Sequence, residues 1–231
     1  MRSLQHPTDP PPETPSWSAG ERISFGGLSD KGSGYMAYSE RVGPGVLVLH
    51  DGYGLIPSVK RLTDRFVAEG FTALAVDLYD GRVARNPDEA RALAAARDPD
   101  EVMPRLRAAA EHLSDNWHPR LGLVGFSVGA SWATALALQI EVDATVVYYG
   151  GGDLGESDWG SRPLLGHFAT DDATEAARSA RASIARLDDA EAFDYDAPHG
   201  FANADLPDAY SEAAASLAME RTLEELHYQL S

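Results

Sequence analysis

The sequence contains no cysteine, so disulfides, thiolate metal ligands and a cysteine nucleophile are excluded, and covalent chemistry has to use another side chain. Positive charge is scarce as well. The chain carries 19 Lys and Arg against 36 Asp and Glu, a formal net charge of −17. Nucleic-acid and anionic-membrane binding depend on basic side chains displacing counterions, so neither is expected. The acidity reads as a solvated, self-repelling surface and names no substrate.

A signal-peptide core is missing too. MRSLQHPTDPPPETP has no apolar stretch and holds five prolines in its fifteen residues. Residues 1–18 therefore read as a mobile tail ahead of a single domain over 19–231, and the protein as cytoplasmic. Leu121 to Leu138 lacks any charge and approaches membrane-spanning length, but Gly122, Gly125, Ser127, Gly129, Ser131 and Thr134 interrupt it. A buried strand, a sharp turn and a buried helix explain that stretch better than a membrane span. No G-x-G-x-x-G, no Walker lysine and no H-E-x-x-H spacing occurs, so neither a nucleotide cofactor nor a metal is expected.

What is present is a chain 44% apolar and 24% charged, enough to bury a substantial core. Ile23 to Phe25 and Tyr35 to Ser39 read as an antiparallel hairpin around a glycine-rich turn. Gly45 then opens the continuous apolar run VLVLH, the signature of a central strand covered on both faces. From there strands and helices alternate: a helix from Ser58, strand FTALAVDLY, helices from Asn86 and around Val102 to Leu113, and strand LGLVG. Helix 128–139 follows, then strands ATVVYYG and PLLGHFA, a helix around Ala177 to Leu187, strand AEAFDY and a terminal helix. Such an order predicts an α/β fold with a mainly parallel sheet and helices on both faces.

Gly125-Phe126-Ser127-Val128-Gly129 matches G-x-S-x-G between a predicted strand and a predicted helix, the context a nucleophile elbow requires. A serine hydroxyl needs a base, which a third group orients, and in elbow folds the acid and then the histidine follow the serine. Of seven histidines, only His167, His199 and His227 lie beyond Ser127. His167 falls within an apolar strand and reads as structural, and His227 lies on the terminal amphipathic helix. His199, in a loop past the last strand, is the candidate base. The acid should leave the end of a preceding strand. Asp171 and Asp172 both do, with Asp153 a more distant choice. The turn His50 to Gly54 ends another central strand, so the N–H groups of Gly52 and Val128 are the candidate oxyanion hole. Asp51 and Tyr53 are candidate substrate-side residues in the same turn.

VLVLHDGYGL, AVDLYDGRVA, GFSVGA, YYGG, LLGHFATDD and PHGFANADLPDAYSEAAASLAMERTLEEL together resemble the dienelactone hydrolase family of α/β-hydrolases, from about Gly45 to the C-terminus. The resemblance implies an α/β-hydrolase fold and cleavage of a small-molecule carboxylic ester or lactone through an acyl-enzyme, without a cofactor. It implies Ser127 as nucleophile, Asp172 rather than Asp171 as acid, and His199 as base. It also places Arg82 near the mouth of the site, against a substrate carboxylate. Two positions depart from the family pattern: well-known members carry cysteine where Ser127 stands and commonly glutamate where Asp51 stands. A non-catalytic binding protein of the same fold, or an amide or peptide hydrolase, are the alternatives.

Overall fold

The computed structural model describes residues 20–28, 30–38, 43–116, 120–152, 154 and 159–231. The tail assigned to residues 1–18, and Asp153, lie outside them. The first strands, β1 (Gly20–Phe25) and β2 (Gly32–Ala37), pair antiparallel as a hairpin. The rest of the sheet comprises β3 (Gly45–Leu49), β4 (Thr72–Val76), β5 (Leu121–Phe126), β6 (Ala144–Tyr148), β7 (Leu164–Ala169) and β8 (Ala190–Tyr195). The spatial order is β1-β2-β4-β3-β5-β6-β7-β8. Strand β2 joins β4 antiparallel, and from β4 to β8 every pairing is parallel.

The largely apolar make-up of β3, β4, β5 and β6 follows from their position, since each is buried at every residue. Alternate side chains leave a strand on opposite faces. Leu47 and Leu49 accordingly pack on one side with helices α3 (Pro99–Asn116), α4 (Val128–Ala137) and α5 (Glu175–Ile184). Val46 and Val48 pack on the other with α1 (Pro57–Ala68) and α6 (Glu212–Leu230). The short α2 (Pro87–Ala95) has Pro87 in its first turn, and the Asn86 side chain caps the N–H of Glu89 at 2.9 Å.

One sequence expectation is adjusted and another is met. The strand read from FTALAVDLY ends at Val76. The buried Asp77 carboxylate accepts the N–H groups of Tyr79 at 3.1 Å and Gly81 at 2.8 Å, which converts the next residues into a turn. The uncharged stretch from Leu121 divides into β5 and α4, and no helix among the described residues is long and apolar enough to cross a membrane.

The elbow between β5 and α4 is crowded by backbone from several directions. A Cβ on Gly125 would lie 2.4 Å from the Gly129 carbonyl oxygen, and one on Gly129 only 2.2 Å from that of Leu49. From the other side, a Cβ on Gly150 would lie 2.5 Å from the Ser127 carbonyl oxygen. The Ser127 N–H donates to Tyr148 at 2.9 Å. Ends of β3, β5 and β6 therefore meet where only glycine fits, and Ser127 is held at φ 52°, ψ −114°, a backbone state that costs about 1–3 kcal/mol.

Two histidines are fully buried. His167 on β7 lies 2.8 Å from the Tyr195 hydroxyl and 3.0 Å from Thr222 Oγ1 on α6. Burial, and then the Arg221 charge, lower its pKa to about 3. His50 accepts the Leu78 N–H at Nε2, so Nδ1 carries the proton it donates to the Asp51 carbonyl at 2.7 Å. Burial lowers its pKa as well.

These features carry two predictions. Gly129→Ala should destabilise the fold by about 3 kcal/mol or more in urea unfolding, since backbone oxygens cannot yield as a side chain would. Unfolded His167 takes up a proton below its ordinary value of 6.5, whereas the folded imidazole stays neutral down to about 3. Stability should therefore be full above that range and fall with acidification through it, by about 1.4 kcal/mol per pH unit for this one proton. Urea titrations from about pH 6.5 to 4 should show His167→Gln with a correspondingly shallower pH slope than the parent.

Candidate active site

The strained turn presents Ser127 Oγ at the carboxyl edge of the sheet, 3.2 Å from His199 Nε2. His199 follows β8, and its Nδ1 lies 2.7 Å from Asp172 Oδ2. With the Nδ1 proton donated to the carboxylate, Nε2 is left with the lone pair that can accept the serine proton. The Asp172 side chain is 1% exposed against 39% for His199. Burial pushes the Asp172 carboxyl upward, but hydrogen bonds from His199 and Thr174 outweigh it and hold the group below the usual carboxylate range. Asp171, its neighbour, is exposed. The turn that closes with the Asp172 N–H on Ala169, 3.1 Å away, directs one aspartate inward and the other to solvent.

Ser127, His199, Gly52 and Val128 share a cavity of about 620 Å³. Among the described residues, neither the Gly52 nor the Val128 N–H has an acceptor. Two donors left open beside a serine hydroxyl suit a developing oxyanion. Asp51 and Tyr53 also line the cavity. The Asp51 carboxylate accepts the Tyr53 N–H at 2.9 Å and the Asn203 side-chain amide at 2.7 Å. Its burial raises its pKa, while those hydrogen bonds oppose the shift. Apolar lining comes from Ala90 and Ala94 of α2 with Leu206, Pro207 and Ala209, beside the polar Arg91 and Asp208.

Arg82 is not at this cavity. It lines a separate depression with Val83 and Leu93, and its Nε donates to the Tyr79 carbonyl at 3.4 Å. Asp80 and Gly81 both have positive φ, 55° and 85°, and that turn sends the chain around so that Arg85 and Arg91 are the arginines lining the cavity. Arg91 is paired with Asp88. Trp159 is 1% exposed and packs in the core on the α3–α5 side, away from Ser127. His227 lies on the outer part of α6, against Phe71 and Glu69.

Three residues at the site were not singled out in the sequence, although Tyr149 and Asn203 fall within the segments YYGG and PHGFANADLPDAY of the family resemblance. Tyr149, with φ 38°, sets its ring 5.0 Å from that of His199. Asn203 is buried and reaches Asp51 from the loop that begins at His199. Arg85 arrives from the segment ahead of α2. The signal that could have found Asn203 is its place four residues past the candidate base, in the loop where functional groups of such sheets collect.

The chain is similar to known proteins in sequence and in fold. Residues 33–230 match the dienelactone hydrolase family. Protein usf of Aquifex pyrophilus is 32% identical over 142 residues, which cover 57% of this chain and 62% of that protein. The chain thus spans 62% of the length of that curated relative. Carboxymethylenebutenolidase 1 of Cupriavidus pinatubonensis is 27% identical over 198 residues, 78% of this chain and 84% of that one. A putative dienelactone hydrolase from Klebsiella pneumoniae, solved by crystallography, has the same α/β-hydrolase fold with a TM-score of 0.73 at 22% identity, covering 90% of this chain and 98% of its own. By a match that runs from β2 to the end of α6, the chain belongs to the dienelactone hydrolase family.

Proposed function

We propose that the protein is a serine-dependent hydrolase that cleaves a small carboxylic ester or lactone. The observation that carries this reading is the hydrogen-bonded chain from Ser127 Oγ through His199 to Asp172, with steps of 3.2 Å and 2.7 Å. Ser127 attacks the carbonyl carbon as His199 Nε2 takes its proton, and Asp172 balances the imidazolium charge. The carbonyl oxygen becomes an oxyanion facing the N–H groups of Gly52 and Val128, each such donor being worth about 3 kcal/mol. Collapse expels the alkoxide, which takes the proton back from His199 and leaves an acyl group on Ser127. Water then gives a proton to His199 and attacks the acyl carbon, freeing the carboxylic acid and restoring the serine. For a lactone, the alkoxide and the acid are two ends of one product.

Serine in place of a thiol makes the histidine indispensable, because a hydroxyl does not ionise appreciably near neutrality and must lose its proton during attack. A lactone or ester substrate is supported by the name of the Cupriavidus relative, a carboxymethylenebutenolidase. The apolar lining from Ala90, Ala94, Leu206, Pro207 and Ala209 suits the carbon skeleton of a small acyl group.

A fluorophosphonate should label the parent at Ser127, as read by peptide mass, and Ser127→Ala should abolish turnover of activated esters. An unlabelled Ser127, with full ester hydrolysis by the alanine variant, would overturn the mechanism. Asp172→Asn should lower kcat by about 10³–10⁴ through loss of the histidine's orienting acid. Asp171→Asn should stay within about twofold of the parent, because an exposed carboxylate contributes little to a buried relay. Equal effects of the two aspartates would remove the assignment of the acid.

A further inference from the structure

The buried amide of Asn203 stands between two parts of the site that the chain brings from opposite ends. Its Nδ2 donates to Asp51 Oδ2 at 2.7 Å, across 152 positions of sequence. Its Oδ1 accepts the Ser58 hydroxyl at 2.9 Å and the Asp205 N–H at 3.0 Å. A backbone N–H can only donate, so the Asp205 contact fixes which end of the amide is oxygen and leaves Nδ2 facing Asp51. Asp205 in turn accepts the Ser58 N–H at the start of α1 and the Arg61 guanidinium, both at 2.7 Å. Every polar atom of the Asn203 side chain is therefore engaged with a neighbouring segment.

At the other end, the peptide unit joining Asp51 to Gly52 is planar, so its C=O and N–H point in opposite directions. The Asp51 carbonyl is pinned by His50 Nδ1–H at 2.7 Å and by the Gly54 N–H at 3.2 Å. Pinning the carbonyl aims the Gly52 N–H. The Asp51 carboxylate is held on both oxygens, by the Tyr53 N–H and by Asn203. On its own side, the Phe201 N–H closes a turn across His199 on the Pro198 carbonyl, and the Asn203 N–H closes the next one on Gly200.

From this connectivity we infer that Asn203 is a positioning residue, which locks the turn carrying the Gly52 oxyanion donor to the loop carrying His199. The inference rests on the proposed hydrolase reading. Asn203 touches no reacting atom in this scheme; it sets the distance between two groups that do. Removing the lock should lower kcat and leave KM nearly unchanged, because the oxyanion exists only in the transition state.

Asn203→Asp provides a test that a purely architectural role would not pass. It sets a second carboxylate against Asp51 at hydrogen-bond distance. The other titratable groups facing Asp51 are His50 and His199 and the hydroxyls of Tyr53, Tyr79 and Tyr149. Two buried carboxylates in contact hold one shared proton at low pH, which restores a donor, and repel when both ionise.

The experiment measures kcat and KM of the full chain and of Asn203→Asp on an activated ester, from about pH 8 down to about pH 6. Dividing variant by parent at each pH removes the pH dependence that the two share. The expected result is a kcat ratio near one-tenth or lower at the alkaline end with KM within about twofold, recovering as pH falls. Ser58→Ala, which frees the far end of the amide, should lower kcat several-fold at unchanged KM, and it decides the matter if the aspartate variant does not fold. A parent-like kcat in a folded variant, a loss carried by KM, or a kcat ratio independent of pH would each overturn the lock. Ser127→Ala run beside them separates the two readings: if it keeps activity, the hydrolase reading fails, whereas a dead Ser127→Ala with a parent-like Asn203→Asp removes the lock alone.

Discussion

Three chain segments meet at the elbow with no room for a side chain, and that crowding governs the rest of the site. Gly125, Gly129 and Gly150 each face backbone oxygen closer than any Cβ could sit. Because those oxygens belong to β3, to the start of α4 and to Ser127 itself, the serine cannot relax toward an ordinary conformation without separating strands. The strain at φ 52° is therefore maintained by sheet pairing, and the same pairing sets where Oγ and the Val128 N–H emerge.

Around that rigid point the polar groups are arranged by how much water each loses. Asp172 is almost wholly desolvated yet held ionised by donors, whereas His199 remains partly exposed and free to exchange its role between acceptor and donor. Asp51 is buried with donors on both oxygens. His50 spends both nitrogens on backbone groups and serves the turn rather than the chemistry. An acidic chain thus keeps three carboxylates inside, Asp51, Asp77 and Asp172, by giving each partners on both oxygens, and leaves the remaining acidity largely to the surface.

Much of this was legible in the residues. Parallel strands covered on both sides read as unbroken apolar runs, and the β3 run VLVL and the β5 run LGLVGF were recognisable for that reason. The rule that acid and histidine follow the elbow serine left three histidines, of which the loop position singled out His199. Between Asp171 and Asp172 the residues alone could not choose, because adjacent positions in one turn differ only in the direction they face. Arg82 was misplaced for a related reason: two successive positive φ values at Asp80 and Gly81 redirect the chain, and nothing in the composition of that turn states the direction. Asn203 escaped notice because its significance lies in partners 145 and 152 residues away.

The elbow also has a bearing on how the protein folds. The serine's conformation depends on Leu49, on Gly125 to Ala130 and on Tyr148 to Gly150, three stretches that are distant in the chain and parallel in the sheet. Parallel pairing across such separations closes long loops and comes slowly. A partly folded chain with its helices formed and this pairing incomplete would hold a serine, a histidine and an aspartate with nothing to oblige them to meet. On the proposed reading, Ser127, His199 and Asp172 are brought together only by the closed central sheet, so reactivity at Ser127 would report that the middle of the sheet has formed.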